Sequence, residues 1–139
     1  MTPFLKKLCD RGCVTASPDT PLQAITETMS AKKIGTVVIL ENGAIAGIVS
    51  ERDIIRTIAK KGTIIDMVAS DIMTTQLVVI EPDVNSTMIM DMMSKHNIRH
   101  VPIIDKDKLV GIVSITDVVR RLSEKTNQEA EYLREFINS

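Results

Sequence analysis

The chain has 139 residues, of which 44% are hydrophobic and 25% are charged, and its formal net charge is −1. These values are typical of one soluble globular domain with a real core and exclude a disordered chain. A charge near zero and only three aromatic residues, two Phe and one Tyr, exclude a general attraction to nucleic acid and a stacking surface for bases. No apolar run is long enough to span a membrane, and the N-terminus has no signal-peptide core, so we expect a cytoplasmic protein.

The first residues in chain order that could carry chemistry are Cys9 and Cys13, four positions apart. Two isolated cysteines do not make a disulfide framework, and His96 and His100 are the only histidines that could join them in a zinc site. We therefore predict structural or incidental thiols and no metal.

The next segment predicts a strand, a helix, two strands and a helix. "VTASPD" is a short extended run that ends in Pro-Asp turn chemistry, and Leu22, Ile25 and Met29 then form one helical stripe. "IGTVVIL" and "AIAGIVS" are apolar runs joined by Glu-Asn-Gly over 41–43, which is a strong hairpin signal. A second helix is expected to begin at Ser50.

The same pattern then returns. "GIVSERDIIR" begins at Gly47 and "GIVSITDVVR" begins at Gly111, 64 positions later, and the match at this offset runs without a gap from 14–56 to 78–120. The second copy has a strand in "LVVIEPD", a methionine-rich helix, the strands "RHVPII" and "LVGIVS" joined over 105–107, and a helix from Ser114. Each copy is therefore predicted to be a β-α-β-β-α unit.

One such unit leaves a sheet face exposed, which a second unit can cover. We predict an α+β fold of two pseudo-symmetric β-α-β-β-α motifs packed sheet to sheet, with terminal helices and with clefts where the motifs meet. The expected divisions are motif one at about 10–61, a linker and helix at 62–74, motif two at about 75–124 and a C-terminal helix at 126–137.

The repeated Ser-x-x-Asp, at Ser50 and Asp53 and again at Ser114 and Asp117, allows two interpretations. It is a capping box, in which the hydroxyl and the carboxylate satisfy backbone N–H groups at a helix start. It also suits nucleoside binding, because a helix N-terminus attracts phosphate and a carboxylate can accept hydrogen bonds from two ribose hydroxyls.

The two copies differ in the positively charged residues near these motifs. Arg52 lies inside the first motif, where the second copy has Thr116. Arg99 and His100 begin a strand in the second copy, where the first copy has Gly-Thr at 35–36. A phosphate site would use these cations, whereas the alternative is a solvated strand start.

With "GIVSERD", "GIVSITD", "RHVPIID", the "DIMT" before the second copy and the Pro-Asp starts, roughly residues 10–124 resemble a tandem pair of CBS domains of the stand-alone bacterial type. The resemblance implies a regulatory module that binds an adenosine-containing ligand such as AMP, ADP, ATP, NAD(H) or S-adenosylmethionine. It also implies a homodimer, often a flat disk, with no catalysis and no catalytic cofactor.

The resemblance assigns ligand-binding residues to two clefts, each combining Ser and Asp of one copy with strand starts of the other. The residues of the expected stronger cleft are Ser50, Arg52, Asp53, Thr74, Val78, Arg99, His100 and Pro102. Those of the expected weaker cleft are Val14, Gly35, Thr36, Ser114, Thr116 and Asp117. The first copy has Val38 in place of Pro102 and lacks a basic strand start, which is why its cleft is expected to bind nucleotide weakly.

Three functions compete on the sequence. The leading hypothesis is a sensor of an adenine nucleotide that acts on an unidentified regulated protein, without nucleic acid or membrane as partner. The alternative is a dimerisation or docking scaffold, suggested by apolar residues outside the repeats: Phe4, Leu5, Leu8, Leu133, Phe136 and Ile137. An enzyme is disfavoured, since no nucleophile and base are paired and no Gly-rich phosphate loop is present.

Overall fold

Two copies of one strand-and-helix unit follow each other along the chain, as the repeat predicts. The computed structural model describes residues 1–138, and the side chains of Phe136 and Asn138 lie outside the described part, as does Ser139. The helices are α1 (Pro3–Arg11), α2 (Leu22–Lys32), α3 (Glu51–Lys61), α4 (Ala69–Ile72), α5 (Ser86–His96) and α6 (Ile115–Asn138). The strands are β1 (Thr15–Ala16), β2 (Thr36–Glu41), β3 (Ala44–Ser50), β4 (His100–Asp105) and β5 (Lys108–Ser114).

The two predicted hairpins are confirmed and share one register. Strand β2 pairs antiparallel with β3, and β4 pairs with β5 in the same way. Asn42 and Gly43 turn the first hairpin with φ values of 52° and 81°, and Lys106 and Asp107 turn the second with 50° and 65°. Left-handed φ at both central positions suits the right-handed twist of the flanking strands.

The strand predicted in "LVVIEPD" is wrong, and Pro102 supplies the reason. In motif one, Val38 N donates to Val14 O at 3.1 Å, and β1 pairs parallel with β2. The residue equivalent to Val38 is Pro102, which has no N–H to donate. The second copy therefore keeps only an isolated bridge, in which Ile80 N donates to Pro102 O at 3.0 Å and Ile80 O accepts from Ile104 N at 2.8 Å.

The last helix is longer than expected. Helix α3 ends at Gly62, which has φ 79° and donates its N–H to Ile58 O. The equivalent position in the second copy is Thr126, and neither Gly nor Pro occurs from 115 to 138. Motif two therefore ends in one continuous helix, α6, where the sequence suggested a separate C-terminal helix from 126.

Each motif has its own core, and the short helix before each motif packs on the other motif. Helix α4 lies on β3 of motif one, whereas α1 lies on β5 of motif two. Leu5 and Leu8, which the sequence analysis placed outside the repeats, are buried in the core of motif two. The buried core of motif one comprises Leu22, Ile25, Met29, Val37, Ile39, Val49, Ile54 and Ala69. That of motif two comprises Leu5, Leu8, Ile80, Ile89, Met93, Val101, Ile103, Val113 and Val118.

Two equivalent glycines allow this close packing. A Cβ at Gly47 would lie 2.9 Å from Thr74 O and from the Met73 side chain, and one at Gly111 would lie 3.2 Å from Cys9 Cα. Strand β3 also contacts β5, so the two sheets meet between the motifs. The start of α3 is thereby held beside the segment that precedes motif two, and the start of α6 beside the segment that precedes motif one.

Candidate functional site

One cleft lies where α3 begins, where β4 begins and where the chain runs from α4 towards α5. It has a volume of about 200 Å³ and is partly open to solvent. Its lining residues are Thr36, Ile48, Ser50, Arg52, Asp53, Arg56, Thr74, Gln76, Leu77, Val78, Asn97, Ile98, Arg99 and His100. We call it the α3 cleft. Seven of the eight residues assigned to the stronger cleft from the sequence lie here together.

The eighth residue, Pro102, is buried in β4 and is absent from the lining of the α3 cleft. It acts on the cleft through the backbone. Because it cannot bond Val78, the chain at 76–78 leaves the sheet edge, and Leu77 and Val78 face the cleft instead.

A capping box is present at the start of α3, so the structural interpretation of Ser-x-x-Asp is confirmed. Ser50 N donates to Asp53 Oδ2 at 2.9 Å, and Asp53 N donates to Ser50 Oγ at 3.1 Å. The box engages one carboxylate oxygen and fixes the side chain in the wall of the cleft. Capping and ligand binding therefore do not exclude each other at this position.

The cations of the cleft come from two elements that are distant in sequence. Arg52 and Arg56 project from the first turns of α3, and Arg99 comes just before β4. All three residues are exposed. Arg56 was missed in the sequence assignment, although it lies three residues after Asp53, a spacing that puts both on one helix face.

His100 is half-buried between the motifs. Burial lowers the pKa of His100 below its ordinary value of 6.5, and the carboxylates of Asp117 and Glu51 oppose this shift only in part, while Arg99 adds to it. The imidazole is therefore neutral at neutral pH. A phosphate brought beside it would favour the protonated form.

The residues assigned to the weaker cleft lie in several parts of the structure. Thr36 lines the α3 cleft itself. Gly35 lies against α3, where its O accepts from Glu51 N at 2.9 Å. Val14 O is taken by the sheet, and Thr116 is exposed on the first turn of α6.

Ser114 and Asp117 do form the equivalent capping box at the start of α6. Ser114 N donates to Asp117 Oδ2 at 2.9 Å, and Asp117 N donates to Ser114 Oγ at 3.1 Å. Asp117 is only 7% exposed. Here, however, the carboxylate already has a charged partner.

That partner is Arg11, which the sequence analysis missed. Its Nη1 donates to Asp117 Oδ1 and its Nη2 to Asp117 Oδ2, both at 3.1 Å, and Nη2 also donates to Ile112 O at 3.1 Å. Burial alone would raise the pKa of Asp117, but hydrogen bonds from Arg11 and Ser114 outweigh burial and lower it. Only the packing of α1 on motif two brings together these residues, which lie 106 positions apart.

Cys9 and Cys13 are free thiols, both half-buried, and burial raises the pKa of each. Among residues 1–138, no three His, Cys, Asp or Glu side chains form a group that could hold a metal ion. Within the same residues, no helix combines the length and the apolar character needed to cross a membrane.

Comparison with known proteins agrees with this architecture. The family model described as "CBS domain" matches twice, over residues 5–60 and 69–124, which includes α1 and α4 as equivalent helices. The CBS domain-containing protein YhcV of Bacillus subtilis is 29% identical over 116 residues, which are 84% of this chain and 81% of that protein.

Solved structures show the same fold. A CBS-domain containing protein from Agrobacterium tumefaciens superposes with a TM-score of 0.79 at 34% identity, covering 85% of this chain and 98% of that one. The CBS domain pair of protein MJ0100, in complex with 5′-methylthioadenosine and S-adenosyl-L-methionine, gives 0.73 at 25% identity, covering 80% and 92%. With two matched copies, an ungapped repeat and this fold, the chain belongs to the CBS domain family, as a tandem pair.

Proposed function

We propose that this CBS pair is a regulatory module that binds a phosphorylated adenosine, of the AMP, ATP or NAD(H) class, in the α3 cleft. The observation that carries the proposal is the pairing of one capped carboxylate, Asp53, with three arginines around the same cleft. A carboxylate suits ribose hydroxyls, and guanidinium groups suit phosphate. The complex of the MJ0100 pair with two adenosine-containing molecules supports the nucleoside part of the proposal.

The cleft offers a different surface to each part of such a ligand. Ile48, Leu77, Val78 and Ile98 provide apolar contacts for an adenine base. The oxygen of Asp53 that the capping box does not use would accept hydrogen bonds from the ribose. Because the enclosed volume is only about 200 Å³, the phosphates would lie towards the open mouth.

The charge at the mouth favours phosphate over a neutral or cationic substituent. Arg52, Arg56 and Arg99 are exposed and come from both motifs. A bound phosphate would therefore connect α3 to the start of β4. Such a bridge between motifs gives the ligand a way to change the relative stability of conformations that a regulated protein could recognise.

A scaffold function is the second candidate, and the distal half of α6 favours it. Tyr132, Leu133 and Ile137 are 70%, 58% and 79% exposed, although Phe4, Leu5 and Leu8, first grouped with them, pack on or in the core. We propose that α6 contributes to a homodimer. Sedimentation of the full chain at micromolar concentration should show a dimer that dissociates when residues 126–139 are removed; a monomeric full chain would contradict this.

Thermal shift measurements separate the two candidates. AMP, ATP, NAD⁺, NADH, S-adenosylmethionine and adenosine would each be tested at 1 mM against the full chain. A ligand at about 100 times its Kd should stabilise the fold by about 2.7 kcal/mol. We expect AMP or ATP to raise the Tm more than adenosine does, and Arg99→Ala to reduce this difference. No shift with any of the six compounds would favour the scaffold.

A further inference from the structure

The start of α6 carries the same capping box as the start of α3, but its carboxylate is already fully engaged. The guanidinium of Arg11 takes both oxygens of Asp117 and, with a third hydrogen bond, Ile112 O. Asp117 Oδ1, the oxygen that the capping box leaves free, accepts from Arg11 Nη1, and it is the acceptor that a ribose would need. Arg11 thus stands where a nucleoside would have to bind.

The two halves of the chain differ here at one position. The family match pairs residues 5–60 with 69–124, which makes Thr75 the equivalent of Arg11. Threonine is too short to cover Asp53, and that carboxylate lines an open cleft. Two equivalent backbone carbonyls also differ in their donors. Ile48 O accepts from Thr74 N at 2.9 Å, whereas Ile112 O accepts from the Arg11 side chain.

The geometry points to Arg11 as a built-in occupant of the second cleft, the site at the start of α6 that is equivalent to the α3 cleft. Arg11 would thereby limit each chain to one bound nucleotide. This inference rests on the proposed function for the identity of the ligand. The closure itself does not, since it is a contact between α1 and α6. Asp117 is 7% exposed while Arg11 is 51% exposed, so the ion pair covers the carboxylate from the solvent side.

Titration calorimetry with AMP and with adenosine tests the occupancy. We expect one site per wild-type chain, two sites in Arg11→Met, which keeps the aliphatic stem, and one site again in Arg11→Met/Asp117→Asn. Arg134→Met, at an exposed arginine of distal α6, is the matched control and should keep one site. A single site in Arg11→Met, or two sites surviving Asp117→Asn, would overturn the inference.

A measurement without nucleotide keeps the closure testable on its own. Cys13 lies two residues after Arg11 and is equivalent to Leu77 of the α3 cleft. In a Cys9→Ser background, we expect Cys13 to react several-fold faster with a thiol reagent when Arg11 is replaced by Met. Burial raises the pKa of the Cys13 thiol and the charge of Arg11 opposes this rise, so loss of that charge alone would slow the reaction.

If a folded Arg11→Met variant reacts at an unchanged or slower rate, the closure is refuted. The two failures are distinguishable. If the wild-type chain binds none of the nucleotides, the proposed function fails while the thiol rates still decide whether Arg11 closes the second cleft. If the wild type binds AMP but neither readout responds to Arg11→Met, only the inference about Arg11 fails.

Discussion

Replacement of Asp53 by Asn separates the capping role of this carboxylate from its proposed ligand role. In the wild type, Ser50 N donates to Asp53 Oδ2 at 2.9 Å. The cap should largely survive, because the amide oxygen of Asn can accept the same hydrogen bond. What is lost is the negative charge at the N-terminus of α3. An exposed charge in this position contributes about 0.3–1 kcal/mol to stability.

The loss in ligand affinity should be larger. A hydrogen bond to a charged group contributes about 1.5–3 kcal/mol, and a ribose on Asp53 would lose that charge assistance. This corresponds to a rise in Kd of roughly 10- to 150-fold for AMP, since each 1.4 kcal/mol is tenfold. The side chain has the same size in both proteins, so shape does not explain the change.

Asp117→Asn is the matched control, because Asp117 has the same capping box with the same distances. Its carboxylate is held by Arg11, so its loss should leave AMP affinity unchanged. The stability of Asp117→Asn should fall by about 1 kcal/mol, less than the ~1.5–3 kcal/mol of a buried hydrogen bond to a charged group, because Arg11 is half exposed. That is a Tm loss of roughly 3–5 °C.

Calorimetry gives the affinities and thermal melts give the stabilities of the three proteins. If Asp53→Asn binds AMP as wild type does and only melts earlier, then capping is the whole role of Asp53. If Asp117→Asn weakens AMP binding instead, the ligand lies at the start of α6 and the clefts are assigned in the wrong order.

Three further predictions test the phosphate site, the packing between motifs and the proton balance. Arg99→Ala should weaken AMP binding at least tenfold at low salt and should make the affinity less dependent on salt. Titrations between 50 and 500 mM NaCl would measure this, since these concentrations bracket a Debye length of ~8–10 Å. Gly47→Ala should destabilise the fold by about 1–3 kcal/mol in urea melts, because its Cβ would lie 2.9 Å from Thr74 O, whereas Gly35→Ala meets only the flexible Glu51 side chain. His100 has a lowered pKa in the free protein, so the stability supported by its neutral form is complete above about pH 6.5 and declines as pH falls. A phosphate beside His100 would raise that pKa, so AMP binding between pH 7.5 and 6 should take up more protons in wild type than in His100→Gln, as calorimetry in buffers of different ionisation enthalpy would show.

The local features of the fold could be predicted from the sequence because their causes are local. Asn42-Gly43 specifies its turn through φ alone, and Ser50 with Asp53 caps a helix that begins between them. Two errors had local causes that can be read in retrospect. Pro102 removes the N–H that a parallel strand needs, and Thr126 stands where Gly62 ends the equivalent helix.

The contents of the second cleft could not be predicted in this way. Arg11 meets Asp117 only because α1 packs on β5 of the other motif, and an arginine at the end of a short helix carries no sign of its partner. The repeat did contain a weak signal. The offset of 64 also aligns Cys9 with Met73 and Leu5 with Ala69, so α1 and α4 are equivalent helices that share no identical residue at this offset.

The capping box is best understood as the device that makes a carboxylate available for binding. A free Asp on a helix would lose side-chain entropy when it binds a ribose, whereas Asp53 is already fixed by Ser50 N. The box uses one oxygen and leaves the other, so the position is both structural and open to a ligand. The same fixed carboxylate at Asp117 is a good partner for a guanidinium. On the inference above, Arg11 at the position equivalent to Thr75 is enough to close the second cleft without any change in the box itself.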